Sequence, residues 1–361
     1  MWRRLIFSPH QQQQHRFSTS TSSTNPPPTK THDPFEYCID LVRQRDRESY
    51  LCSLLLPEQS RLAAFAIRAF NVELSSIRSM VTNQNTAMMR FQFWSSTISK
   101  IFGESRQKAS QTSNNPTTGY SPLGTIPEHP VAEALAKIVR EKNLSRKWFS
   151  ELIDARVERV DERRSFQSIK DLEDFYQRTF GAVLFLLLEA NNVRQVHADH
   201  AASHLAKALG IINGIRAINV DPERNVNLLP FELLLHHRVS QHDLVRLASV
   251  KRRGRSLGED EKSGIQKRLR DMTYDLASQA HVHLEHARKL RVIDLGNNKN
   301  DQNERKQMFE STRLILLPAA IVDHYLQILR KIDFDIFDHK VSSSYDWLAL
   351  TLWWRKFRKS Y

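Results

Sequence analysis

The sequence predicts an all-α fold, and three observations carry that expectation. Apolar residues recur at helical rather than alternating spacing, as in Leu62, Phe65, Ala66, Ala69 and Phe70. Glycine is scarce, at 10 of 361 residues. A chain of this length buries a substantial core, in one large domain or two small ones.

Residues 1–32 hold Arg3, Arg4, Arg16 and Lys30, no acid, and many Ser, Thr and Gln beside Trp2, Leu5, Ile6 and Phe7. This is the composition of an organellar transit peptide, and no secretory apolar run of roughly 7 to 15 residues follows the charges. The expectation is a mitochondrial protein, with chloroplast targeting and an untargeted disordered tail left open. The run "YCIDLVRQRDRESYLCSLLLPEQSRLAAFAIRAFNVELSSIRSM" reads as two helices, with Pro57 at the first turn of the second. The Ser, Thr, Asn and Pro cluster at about 103–130 reads as a disordered insertion within a single domain spanning 33–361. Helical patterning then resumes. The runs "AVLFLLL" (182–188) and "LILLPAAIV" (314–322) are too short for the ~18 apolar residues that cross a bilayer, so both read as core helices. The segment 251–264, basic then acidic, reads as a solvated loop.

The formal net charge of +13 suits nucleic acid, an anionic membrane surface or an acidic partner. Part of that excess lies in residues 1–32, and the remaining cations are dispersed without a recognised binding motif, so no nucleic-acid partner is expected. Only Cys38 and Cys52 are present, which argues against a disulfide scaffold and fits a reducing compartment.

Four segments then line up. The run from Tyr37 to Ser79, "DLEDFYQRTFGAVLFLLL" (171–188), "LGIINGIRAINVDPERNVNLLPFELL" and "HYLQILRKIDFDIF" together resemble, in order, the squalene and phytoene synthase family over nearly all of the chain from about residue 36. The resemblance implies a prenyl synthase-type helical fold around a central apolar cavity. Such enzymes hold magnesium and a prenyl diphosphate through two Asp-x-x-x-Asp pairs, because i, i+4 spacing puts both acids of a pair on one helical face. Carried onto this chain, the first pair falls on Ser75 and Ser79 and the second on Ala217 and Asp221, so three of four acids are absent. Asn213 and Arg216 stand where the family has Asn and Arg, Leu229-Pro230 closes the motif, and Gly210 stands where the family usually has Gln.

The implied reading is a catalytically inactive relative, with no catalytic residue, metal or cofactor. Asn213, Arg216 and Asp221 would be the remnant of a diphosphate site, with Asp221 alternatively a plain helix-end acid paired with a neighbouring arginine such as Arg224, and the cavity would still be able to take a prenyl, lipid or quinone-like tail. The string "RAFNVELSSIR" with a transit-like leader resembles a branch of the family that supports assembly of mitochondrial complex I. That implies complex I subunits or other assembly factors as partners, on the matrix side of the inner membrane. The alternative is an active, magnesium-dependent prenyl diphosphate transferase.

Two further features stand outside the resemblance. His197, His200 and His204 fall at i, i+3 and i+7 and His283 and His286 at i, i+3. The outer two of the first set are roughly 10 Å apart along a straight helix, so a polar face is expected rather than a metal site. The C-terminal "YDWLALTLWWRKFRKSY" mixes Trp347, Trp353, Trp354 and Phe357 with Arg355, Lys356, Arg358 and Lys359, a pattern that suits peripheral contact with the inner membrane or a last core helix with a basic tail.

Overall fold

The computed structural model describes residues 33–81, 83–110, 126–160, 165–253, 259–289 and 302–361, the side chains of 104–110, 251–253, 259–261 and 302–307 excepted. The leader at 1–32 lies outside the described residues.

The N-terminal segment forms three helices rather than two: α1 (Pro34–Arg45), α2 (Arg47–Leu54) and α3 (Glu58–Met80). Asp46 makes the extra break. Its backbone N–H closes α1 on the Val42 carbonyl, and its side chain accepts from the Ser49 N–H at 3.0 Å, so one residue ends a helix and caps the next. Pro57 is the N-cap of α3, one position before the first turn. In α3 every residue from Ala63 to Phe70 is buried, whereas Leu62, expected on the core face, is 47% exposed. The helix is enclosed on all sides through its middle, so the core stripe is wider than the spacing alone indicates.

Next come α4 (Gln84–Ser110), α5 (Pro130–Lys142) and α6 (Arg146–Val157). Helix α4 continues to Ser110, into the stretch read as an insertion from residue 103, and 111–125 lie outside the described residues. A capping box at Ser168 and Asp171 starts α7 (Ile169–Tyr176). A π-helical turn, Gln177–Gly181, joins it to α8 (Ala182–Ala190), in which Ala182 to Leu188 are all buried. Helix α9 (Val196–Val220) is followed by α10 (Pro222–Asn225), a 3-10 turn, α11 (Phe231–His236), α12 (Gln241–Arg253) and α13 (Glu259–Lys289). Of the loop expected at 251–264, residues 251–253 and 259–264 are helical instead, and 254–258 lie outside the described residues. The chain closes with α14 (Gln302–Ile315), α15 (Ala319–Lys331), α16 (His339–Ser342) and α17 (Leu348–Phe357).

There is no strand among the described residues, so the fold is all-α as expected. The stretch Met308–Lys331 has the length and apolar composition of a membrane-crossing segment, yet 67% of its most apolar window is buried in the bundle. A turn at Pro318 also splits it into α14 and α15, in keeping with the loss of a backbone donor there.

Helix α9 is the axis of the bundle. It packs against α7, α8, α13, α15 and α16, and two glycines let Tyr176 of α7 approach its backbone closely. A Cβ at Gly210 would lie 2.0 Å from Cγ of Tyr176, and one at Gly214 would lie 2.4 Å from its hydroxyl oxygen. Two glycines one turn apart thus make a slot that takes the whole Tyr176 ring, which is 4% exposed. Gly210→Ala should destabilise the fold by roughly 1–3 kcal/mol, because it meets the root of the tyrosine. Gly214→Ala should cost less, because it meets only the far end of that side chain. Thermal denaturation of the two variants checks the order, and equal melting temperatures would contradict it.

Candidate functional site: an arginine-rimmed cavity

A cavity of about 1440 Å³ opens among α3, α4, α6, α7, α8 and α9, with Pro318, Ile321, Tyr345 and Leu348 also in its lining. Its wall is apolar where Phe91, Val183, Leu184 and Leu209 meet, all at most 7% exposed. Its polar lining carries eight arginines against two carboxylates, Asp46 and Glu48. Both carboxylates are already engaged. Asp46 caps α2, and Glu48 Oε2 accepts from Arg216 Nη1 at 3.0 Å in a pair whose side chains are 22% and 21% exposed.

Helix α3 sets Ser75 and Ser79 on the cavity, with Asn71 one turn earlier on the same face. The Ser75 hydroxyl donates to the Val72 carbonyl at 3.0 Å and that of Ser79 to the Ser76 carbonyl at 2.9 Å, so both bond back to their own helix. From α9 come Asn213, Arg216 and Ala217. Asn213 donates to the Leu209 carbonyl and accepts from Arg216. Arg216 also lies over the Tyr325 ring at 4.0 Å, and the Tyr325 hydroxyl donates to Glu48 Oε1 at 3.2 Å. Burial, joined by the charge of Glu48, raises the Tyr325 phenol well above its ordinary value, while Arg216 acts in the opposite sense. Asn213 and Arg216 therefore tie α9 to α2 and α15.

Asp221 takes the helix-end role beside Arg224 rather than that of a cavity ligand. It is not among the cavity-lining residues. It ends α9, and its side chain accepts from the Arg224 N–H at 3.2 Å to cap α10. The structure thus gathers Ser75, Ser79, Asn213, Arg216 and Ala217 around one cavity and leaves the single acid of the set to a helix joint. Magnesium takes near-octahedral oxygen ligands, with carboxylates supplying the protein share. Two hydroxyls bonded to backbone, an alanine and a capping aspartate, ringed by guanidinium groups, do not fit that ion.

Three further residues matter here that motif matching missed. Arg68 is 7% exposed and lines the cavity, its Nε has no hydrogen-bond partner, and among the described residues no ion pair or hydrogen bond engages its guanidinium. Arg156 donates to Asn71 Oδ1 at 2.6 Å and to the Leu152 carbonyl at 2.8 Å, with no carboxylate beside it, and burial pushes its pKa down to about 10. The available signal was a lone arginine inside "AAFAIRAF", a charge in an otherwise apolar run.

The histidines form a separate cluster. His204 of α9 meets His283 of α13 through their Nδ1 atoms at 2.9 Å, and the His286 ring packs on His204 at 5.0 Å between centroids. His283 Nε2 is 3.0 Å from Glu173 Oε1, and Lys207 donates to Glu173 Oε2 at 3.2 Å. His197 and His200 are exposed, and of the two only His200, one turn before His204, adds its charge to the surroundings of His204. Burial, reinforced by the charges of His283, His286 and Lys207, lowers the His204 pKa to about 4. His236, His237 and Asp275 bring three metal-capable atoms within 4.8 Å of one another, and His237 Nε2 lies 2.7 Å from Asp275 Oδ2. Both cysteines are free and buried, and burial raises each thiol to about 12.

A helical bundle around an apolar cavity with a polar rim defines a class of protein, and the comparisons name it. The family model described as squalene/phytoene synthase matches residues 42–347, and the chain belongs to that family. The fold is similar to that of a dehydrosqualene synthase, with a TM-score of 0.65 and 19% identity over 91% of this chain and 97% of the other. It is also similar to that of a squalene synthase from Alicyclobacillus acidocaldarius, with a TM-score of 0.59 and 15% identity over 84% and 95%. Within the family, the chain is 35% identical to a Bos taurus protein named NADH dehydrogenase (ubiquinone) complex I, assembly factor 6, over 90% of this chain and 82% of that one. The Homo sapiens protein of the same name is 34% identical over the same shares. The Drosophila melanogaster homolog is 34% identical over 89% and 82%.

The histidine cluster yields a pH dependence. A histidine whose folded pKa lies below its unfolded value binds more protons when unfolded, so its contribution to stability is present above pH ~6.5 and is lost as pH falls toward 4. Glu173 acts in the same direction. Burial raises its pKa, but hydrogen bonds and charge from His283 and Lys207 outweigh burial and leave it lowered. The melting temperature should fall between pH 6.5 and 4, and His204→Gln should flatten that slope. An unchanged slope would remove His204 as its source.

Proposed function

We propose that this chain acts in assembly of mitochondrial respiratory complex I and does not transfer prenyl groups. One observation carries the reading. Relatives named complex I assembly factor 6 match about nine-tenths of the chain, and the cavity positions where the family would hold magnesium carry Ser75, Ser79 and Ala217. Without paired carboxylates a diphosphate has no metal to stabilise its departure, so ionisation is not accelerated. The partners are complex I subunits or other assembly factors, met on the matrix side of the inner membrane after import directed by residues 1–32.

Removing the protein from its source should stall complex I assembly on native gels while isoprenoid products stay normal. The purified protein with magnesium should leave farnesyl and geranylgeranyl diphosphate unconverted. Turnover of either substrate, with complex I intact in its absence, would replace this reading with that of an active transferase.

Peripheral membrane contact through α17 belongs to the same proposal. Leu348 and Leu352 are buried and fix the helix to the bundle, while Trp347, Trp353, Trp354 and Phe357 are 70%, 53%, 49% and 69% exposed. The Arg358 guanidinium lies 5.3 Å from the Trp354 ring, so cations and aromatics share one surface as they do at a headgroup layer. The tail is not free. Tyr361 is 5% exposed, and its hydroxyl donates to the Ala287 carbonyl at 3.1 Å. Truncation would disturb that anchor, so the test replaces exposed aromatics instead. The Trp353→Ser/Phe357→Ser variant should keep its melting temperature and lose binding to phosphatidylglycerol vesicles. Undiminished vesicle binding would exclude this helix as the contact.

A further inference from the structure

Away from the cavity, donor groups gather where the end of α11 meets α13. His236, His237 and Asp275 each contribute one metal-capable atom to a set in which all three lie within 4.8 Å of one another, and none of these residues lines the cavity. The sequence builds this helix end firmly. The Arg238 N–H donates to the Leu235 carbonyl at 3.1 Å and the Val239 N–H to the Leu234 carbonyl at 2.9 Å, the paired bonds of a Schellman closure. Arg238 takes a φ of 52°, the left-handed position that glycine usually fills. Leu233, Leu234 and Val239 are buried, so His237, the C-cap residue between them, sits on a fixed backbone. Asp275 is held in the same way, between the buried Met272 and Leu276 of α13.

Consecutive residues on a helix point about 100° apart. The His236 and His237 rings nevertheless lie 4.9 Å apart between centroids, at 86° to each other. His237 Nε2 donates to Asp275 Oδ2 at 2.7 Å. Two ligands of one zinc ion stand about 3 to 3.4 Å apart, given metal–ligand bonds of about 2.1 Å. The pair needs to open only slightly, and the exposed His236 ring can swing to meet the ion.

We infer that His236, His237 and Asp275 bind a zinc ion that staples α11 to α13. Two imidazoles and one carboxylate suit a borderline divalent transition metal, whereas magnesium and calcium take oxygen ligands. The proton on His237 Nε2 passes to solvent as the metal takes its place, and the Asp275 carboxylate exchanges a hydrogen bond for a metal bond. Three protein ligands leave a fourth position for water or for a donor from another protein. The site is independent of the role in complex I assembly, and its failure would leave that reading intact.

The experiment titrates the untagged full chain, stripped of metal with EDTA and dialysed free of it, with zinc chloride and separately with magnesium chloride. Zinc should raise the melting temperature with saturation near about one equivalent, because it binds the folded chain and not the unfolded one. Magnesium should have no effect. Cobalt(II) should develop the visible absorption of a four- or five-coordinate ion, and zinc should bleach it. His236→Ala is the deciding variant, since an exposed ring can be removed without disturbing the core. Its metal-free melting temperature should match that of the parent, while its zinc affinity falls at least roughly tenfold, the least that even an outer-shell partner is worth. His237→Gln and Asp275→Asn should lose affinity as well. A purely structural pair would lower the metal-free melting temperature in those two variants and leave His236→Ala silent in every readout. The chain has 15 histidines that could take zinc adventitiously. The His197→Ala/His200→Ala variant of α9 controls for them and should keep full affinity. Absence of zinc binding, an equal response to magnesium, full affinity in His236→Ala, or loss of affinity in the α9 variant would overturn the inference.

Discussion

The close approach of α9 to Tyr176 is the constraint on which the site depends. Gly210 and Gly214 let the ring sink into α9, and the π-helical turn that follows carries Thr179 and Phe180 into the cavity wall. A side chain at residue 210 would push α7 outward and shift that turn with it. Because α9 also supplies Asn213, Arg216 and Ala217, the same contact sets the distance between the apolar wall and the polar rim. Interiors packed at crystal-like density transmit such displacements rather than absorb them.

Electrostatics divides the rim into two regions. At one, Arg216 is matched by Glu48 and covered by Tyr325, a network that joins α2, α9 and α15 and needs no ligand. At the other, Arg68 and Arg156 have no acid. Both regions are built from arginine, and what separates them is whether a carboxylate pairs with the guanidinium.

Much of the fold was legible in the sequence because helical periodicity and ordered family segments are strong signals. The fully apolar "AVLFLLL" announced a core helix, and Ala182 to Leu188 of α8 are all buried. The break at Asp46 was hidden because a capping aspartate looks like any polar residue in a helical pattern until its side-chain bond is seen. At the site, Ser75, Ser79, Asn213, Arg216 and Ala217 were found by matching and do share one cavity. Asp221 was legible as a helix-end acid near Arg224, although spacing alone does not say that its carboxylate caps the next turn through a backbone N–H and not a guanidinium. Arg68, Asn71 and Arg156 escaped because their importance is relational. A guanidinium becomes notable only when its burial and its lack of partners are both known. The pairing of His204 with His283 was beyond reach for the same reason, since 79 residues separate them in the chain.

The joint at Asp221 has an evolutionary consequence. Its carboxylate is engaged in ending one helix and starting another, and that bond must break before the group can serve an ion. An aspartate introduced at residue 217 would therefore find no second acid free one turn away, while the surrounding guanidinium groups would draw it into ion pairs. A paired-carboxylate centre at this end of α9 therefore takes more than one substitution, because the joint between α9 and α10 would have to be capped by some other group first.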